Sequence, residues 1–273
     1  MKIVFPEFDN QNIKDALLIH QTMIDKGLTP PDFASLNPTP IEALPAQNLD
    51  EACTLVKSGA ADSLIAGIDY SSRDVILACR DHFGMADNYS TFSGLAVMQR
   101  PASENTPAQT YLLADMAACK HPTKPQLIDI IWQTYHTAKS LLADEPRIAL
   151  LSFSTLGSGG RDDFITLAEE IIPLFREQGI LIDGEMQLDA AVNPRIGAKK
   201  APDSPVAGHA NVLIAPDLNS GNLLYKSFEQ FGGFTIAGPI LQGFTIPISD
   251  LSRGSTPADI ALTIEIIARL AKS

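Results

Sequence analysis

Short apolar runs alternate along the chain with longer segments in which apolar side chains recur every three or four positions. The runs fall at 2–6 (KIVFP), 61–68 (ADSLIAGI), 91–99 (TFSGLAVMQ), 110–115 (TYLLAD), 147–153 (RIALLSF), 179–185 (GILIDGE), 211–216 (NVLIAP) and 234–241 (FTIAGPIL). Several carry no polar interruption, the pattern of strands buried on both faces of a parallel sheet. Between them, Ile13, Ala16, Leu17, His20 and Ile24 share one helical face, and Leu127, Ile130, Ile131, Tyr135, Ala138 and Leu142 share a second. Phe164, Leu167, Ala168, Ile171 and Phe175 make a third, and Ile260, Ile264, Ile267 and Ala271 a fourth. Alternation of this kind predicts an α/β protein with mainly parallel strands and flanking helices. The polar stretch Gln99–Gln109 predicts a hairpin turn, an antiparallel exception. The segment from Leu28 to Gln47 holds prolines 30, 31, 38, 40 and 45 without a clear period, which predicts a loop or an extended crossing segment.

At 273 residues the chain can form one large core or two lobes. Twenty Lys and Arg against 32 Asp and Glu give a net charge of −12, which argues against nucleic acid or an anionic membrane as partner. An anionic substrate would need a local focus of Arg, Lys and backbone N–H groups. Cys53, Cys79 and Cys119 are far apart and form no CxxC pair, so neither a disulfide framework nor a metal site is expected. No secretory h-region opens the chain and no run reaches the ~18 apolar residues of a membrane span, so a soluble, cytoplasmic protein is expected.

Three strand-to-helix junctions are written in Gly, Ser, Thr and Asn, where helix N-termini beyond the carboxyl ends of strands can cradle anions. The first is Ser152 to Arg161 (SFSTLGSGGR), with hydroxyls at Ser154, Thr155 and Ser158 and flexible Gly157; it equally suits an ordinary turn before a helix capped by Asp162. The second, Asp217 to Asn222 (DLNSGN), leads to Lys226, a cation in the first turns of a helix, where it opposes the dipole unless an anion is near. The third runs from Asp250 to Asp259 (DLSRGSTPAD). Thr256, Pro257 and Asp259 make a capping-box-like helix start, and Arg253 is left over as a guanidinium in need of an anion.

The motifs DGEMQLDAA (183–191), KAPDSPVAG (200–208), PDLNSGN (216–222), GPILQG (238–243) and DLSRG (250–254) in combination resemble the phosphate acetyl/butyryl transferase family, the phosphotransacetylases. The resemblance continues through LLSFSTLGSGG and, more faintly, to the opening KIVFPE. It implies two α/β lobes around a cleft, in an architecture similar to isocitrate and isopropylmalate dehydrogenases, with lobes at 1–87 plus 247–273 and at 88–246. It also implies a homodimer that moves an acyl group between acyl phosphate and coenzyme A, with coenzyme A as substrate and no bound cofactor. By similarity Asp259 is the base for the thiol, Arg253 holds the phosphoryl group and Ser252 donates to the developing oxyanion. Ser154, Thr155, Gly157, Ser158, Asn222, Lys226 and Gly243 are the matching substrate-binding positions.

The chain departs from the family pattern at several cations. Leu156 stands where members carry Lys, Thr245-Ile246 where they carry Asn-Lys, and Leu77, flanked by Arg73 and Arg80, where they carry Arg. The first lobe is also expected to be some tens of residues shorter. These departures keep open a paralogue that binds coenzyme A or acyl phosphate without turnover. A third reading, a metal- and NAD-dependent dehydrogenase, would have to draw ligands from Asp183, Asp189, Asp203 and Asp217, which turns and caps explain as well. His20, His209, Cys79, Cys119, Trp132 and Tyr135 read as packing or surface residues.

Overall fold

The computed structural model describes residues 1–28, 38–104 and 107–272. Ten strands form one sheet: β1 (Lys2–Phe5), β2 (Glu42–Pro45), β3 (Ser63–Ala66), β4 (Ser93–Arg100), β5 (Gln109–Ala114), β6 (Arg147–Leu151), β7 (Leu181–Met186), β8 (Val212–Ile214), β9 (Thr235–Gln242) and β10 (Ile248–Asp250). Their order is β2-β1-β3-β10-β9-β4-β5-β8-β6-β7. The two flanks, β2-β1-β3-β10 and β5-β8-β6-β7, are parallel throughout. They are joined by the long central strands β9 and β4, whose pairings to each other and to β10 and β5 are antiparallel. The hairpin expected between 99 and 109 is the β4–β5 pair, in which Arg100 opposes Gln109.

Nine helices are described: α1 (Gln11–Lys26), α2 (Leu49–Lys57), α3 (Ser72–Phe83), α4 (Lys124–Leu141), α5 (Asp163–Arg176), α6 (Leu188–Val192), α7 (Pro194–Lys200), α8 (Leu218–Gly232) and α9 (Pro257–Leu270). Alternate strand residues point to opposite faces, so Ile3 and Phe5 pack with α1, α4, α5 and α9, while Val4 packs with α2 and α3. In the other flank Ile148 and Leu150 join the first layer, and Ala149 and Leu151 pack with α6–α8. The sheet is thus covered on both faces, as its near-continuous apolar strands require. Helix α9 is buried from Asp259 through Arg269, and its apolar sequence on all sides fits that position against α1, α4 and β9.

Two elements depart from the sequence expectation. The stretch read as a loop contains β2, an edge strand parallel to β1; Pro45 is tolerated as its last residue because an edge position need not donate to a neighbour. The rest of that stretch, 29–37, lies outside the described residues. Strand β10 has only three residues and so no period to read, yet it joins β3 to β9 and delivers Asp250 to the carboxyl end of the sheet.

Candidate active site

A cavity of about 230 Å³ opens where the carboxyl ends of β3 and β10 meet α8. Gly67, Tyr70, Ser71 and Ser72 line it from the β3–α3 loop, and Asp250 through Arg253 line it from the β10–α9 loop. Met116 and Ala117 after β5, Pro239 in β9, and Leu218, Asn222 and Tyr225 on α8 close the opposite side. The second and third polar junctions of the sequence therefore meet in one space, to which both flanks of the sheet contribute.

Arg253 is exposed at the cavity and, among the described residues, its guanidinium has neither an ion pair nor a hydrogen bond. Five donors held there in a fixed fork suit a phosphoryl group or a carboxylate. Lys226 reaches across from α8: its Nζ donates to Ser252 Oγ at 3.0 Å and lies 3.5 Å from Glu229 Oε2. Burial works to lower the Lys226 pKa, but Tyr225 and Glu229 more than offset it, so the ammonium is held charged. Its pull orients the Ser252 hydroxyl. Asn222 completes the α8 contribution, four residues before Lys226 and on the same helical face.

Nothing in the sequence singles out Asp250. It is 1% exposed, lines the cavity, and neither carboxylate oxygen has a hydrogen-bond partner among the described residues. Burial raises its pKa to about 6; the nearby Ser72 hydroxyl favours the charged form, and the charge of Glu7 opposes it. Glu7 itself is fully engaged, accepting from the amides of Gly67 (2.9 Å), Asp69 (2.6 Å) and Tyr70 (3.0 Å).

Asp259, the base implied by resemblance, is placed differently. It is 4% exposed, is not among the residues lining the cavity, and both its oxygens are filled: Oδ1 by the Ile236 amide at 2.8 Å, Oδ2 by the Thr256 amide at 2.8 Å and hydroxyl at 2.6 Å. Together with the Asp259 amide on Thr256 Oγ1 this is a full capping box that ties the start of α9 to the start of β9. Its visible work is to hold the loop that carries Ser252 and Arg253.

The first polar junction stands apart. Ser154 and Thr155 are buried, and the hydroxyl oxygens accept backbone amides: Ser154 Oγ that of Gly159 and Ser158 Oγ that of Thr155 within the loop, and Thr155 Oγ1 that of Gln187 outside it. The Gly157 amide goes to Glu185 Oε1 at 2.8 Å. Leu156 sits at φ 46° and is 49% exposed. Gly243 has φ +94°, and a Cβ there would meet Thr91 O at 2.7 Å, so glycine serves a close backbone approach on a separate cavity. A larger cavity of about 700 Å³ lies beyond β6 and β8, walled by Leu151, Phe153, Phe164, Leu167 and Leu224, with no Lys or Arg in its lining. Asp162 and Asp217 on its rim cap α5 and α8. Among the described residues no cluster of His, Cys, Asp or Glu suits a metal ion, and no helix is long and apolar enough to cross a membrane.

Residues 39–268 match the family model for phosphate acetyl/butaryl transferase. The chain is 40% identical over 217 residues to the phosphate acetyltransferase of Clostridium acetobutylicum, a match covering 79% of this chain and 65% of that protein. Its structure is similar to a phosphotransacetylase from Streptococcus pyogenes, with a TM-score of 0.78, 30% identity, and coverage of 100% of this chain and 94% of that one. A 4-hydroxythreonine-4-phosphate dehydrogenase from Klebsiella pneumoniae shares the fold at a TM-score of 0.52 and 12% identity over 99% of both chains, in keeping with the dehydrogenase-like architecture. The motifs, the polar cavity they build and these likenesses agree: the chain belongs to the phosphate acetyl/butyryl transferase family.

Proposed function

We propose that the protein transfers a short acyl group between acyl phosphate and coenzyme A by direct attack of the thiolate on the acyl carbonyl. The observation that carries this reading is the unpaired Arg253 guanidinium beside a Ser252 hydroxyl oriented by Lys226, in a cavity formed at the carboxyl ends of the strands. Arg253 would hold the phosphoryl group and the charge that grows on it as the C–O bond breaks, and Ser252 would donate to the carbonyl oxygen. Lys226 adds positive potential to both. In this reading residues 1–87 with 247–273 form one lobe and residues 88–246 the other. The cavity draws Gly67 and Arg253 from the first and Asn222 and Tyr225 from the second. The family resemblance supports a homodimer working in the cytoplasm.

Thioester formation from coenzyme A and acetyl, propionyl or butyryl phosphate, followed in the presence of a chelator, tests the reading. Metal-independent turnover that falls at least ~10²-fold in Arg253→Ala is expected, the scale of losing one group that stabilises developing charge. A folded protein that binds coenzyme A yet turns over no acyl phosphate would favour the non-catalytic paralogue. Leu156, exposed at a position where family members carry Lys, is the feature that speaks for that second reading.

A further inference from the structure

The cavity at the strand ends has two kinds of lining. Arg253 and the hydroxyls of Ser72 and Ser252 offer donors, whereas the side chains of Met116, Ala117 and Pro239 offer none. Its volume of about 230 Å³ is below the roughly 300–1,000 Å³ of pockets that enclose a drug-sized ligand. A ligand whose phosphoryl group occupies Arg253 therefore has little space left for its other end. An acyl phosphate is anionic at one end and apolar at the other. With the phosphoryl group on the guanidinium, the acyl chain is directed to the lining without donors, where burying carbon leaves no polar group unpaired.

The part of that lining which follows β5 is held in place by its backbone. The Met116 amide donates to Gly94 O at 3.1 Å. The Asp115 carboxylate accepts the amides of Gly94 (2.8 Å), Ala117 (2.9 Å) and Ala118 (3.2 Å), which closes the turn on itself and ties it to β4. Two glycines make the fit tight. A Cβ on Gly94 in β4 would collide with the Ala117 methyl, and one on Gly221 in α8 would collide with the Asp115 carbonyl. Residues 115–118 are thus clamped between β4 and α8 and cannot retreat before a longer substrate. What remains adjustable is side-chain volume. Met116 is 1% exposed; it lines the cavity and also belongs to the apolar cluster of Met98, Leu113 and Tyr225. An unbranched thioether in that position fills whatever gap the fixed backbone leaves.

We propose that Met116 determines the acyl chain length the protein accepts, closing the acyl end of the cavity behind an acetyl or propionyl group, an inference that rests on the acyl-transfer reading above. A butyryl chain meets the Met116 side chain while the backbone behind it is pinned. Either the thioether is displaced into a packed cluster, or the substrate shifts and its carbonyl moves out of reach of Ser252. Both penalties fall on the longer acyl phosphate alone. One methylene in an apolar pocket discriminates by about 10–200-fold in kcat/KM, so a single side chain suffices to separate acetyl from butyryl transfer.

The test is kcat/KM for acetyl, propionyl and butyryl phosphate at saturating coenzyme A, in wild type, Met116→Ala and Met116→Val. Wild type should use butyryl phosphate at least ~10-fold less well than acetyl phosphate, and Met116→Ala should raise the butyryl-to-acetyl ratio by at least ~10-fold. Met116→Val removes less volume and should raise it by less. A merely structural role would lower all three substrates together and leave the ratio unmoved. A ratio in Met116→Ala within about threefold of wild type overturns the proposal while acyl transfer stands, as does a wild type that uses butyryl phosphate as readily as acetyl phosphate. Should Met116→Ala fail to fold, Met116→Val decides: a raised ratio supports the assignment and an unchanged one overturns it. A folded wild-type protein with no turnover on any acyl phosphate overturns both readings.

Discussion

Two carboxylates, one in α9 and one just before it, are equally hidden from water and are treated in opposite ways. Glu265 is 0% exposed and accepts from Arg269 Nε at 2.6 Å, from the Thr39 amide at 3.0 Å, and lies 3.2 Å from His20 Nε2. Burial pushes its pKa up, but His20, Thr39 and Arg269 outweigh burial and leave it below the ordinary value. Asp250 is 1% exposed, only the Ser72 hydroxyl favours its charge, and burial prevails, taking it to about 6. Both sites remove a charge from water, which is unfavourable by itself. What differs is the supply of donors. Around Glu265 the fold supplies them and gains a clamp between α1, α9 and the segment at Thr39; around Asp250 only the Ser72 hydroxyl favours the charge, and a carboxyl with a raised pKa is left in the cavity wall.

The comparison breaks first at Glu265. Replacing it by Ala leaves Arg269 and His20 buried without their carboxylate, so the unfolding free energy should drop by about 3–5 kcal/mol, measured by urea denaturation. The remaining native enzyme should keep its kcat within about twofold, since Glu265 is not among the residues lining the cavity. The pH sign follows from a lowered folded pKa. Glu265 stabilisation is complete above the unfolded value of about 4.3 and is lost as pH falls through the lower folded one, so wild type and variant should converge in acid. A variant as stable as wild type at pH 7 would show that the cluster is no clamp.

Asp250→Asn sharpens the contrast with the opposite sign. The folded pKa of about 6 exceeds the ordinary 3.8, so the native state binds more protons than the unfolded chain between those values. Stability therefore falls as pH rises through that window, by up to about 3 kcal/mol above pH 6. Removing the charge should raise Tm at pH 7.5 by roughly 5 °C, and the gain should vanish near pH 4. A lower Tm at pH 7.5 would mark Asp250 as a structural residue.

Much of this is legible in the sequence, and the reasons differ by element. The buried parallel strands announce themselves as unbroken apolar runs, and the faces of α1, α4, α5 and α9 as three- and four-residue spacing. Arg253 stands out because a guanidinium before a helix N-terminus has no local use. Strand β10 does not, because three residues carry no period, and its last residue, Asp250, reads as an ordinary turn aspartate although it is buried in the cavity wall. Conversely, the hydroxyls of Ser154, Thr155 and Ser158 read as ligands in the sequence, and in the structure their oxygens also accept amides of their own loop or of Gln187. Spacing tells which residues are near; it does not tell which of them have already found partners.

Asp259 lies between these extremes and gives the finest division. Asparagine in its place offers one acceptor oxygen where the carboxylate offers two, so either the Ile236 amide or the Thr256 pair loses its bond. The expected loss is about 1 kcal/mol, the scale of a weakened cap, read as a small fall in Tm. Loosening the start of α9 also shifts the loop that carries Arg253, so turnover should fall and KM for acyl phosphate should rise. The dependence of kcat on pH is the deciding feature. If Asp259 acts by positioning, the slowed enzyme keeps the wild-type profile. If the acid side of the profile is lost in Asp259→Asn, the thiol proton goes to Asp259, and the donors filling its oxygens must part from it in the substrate complex.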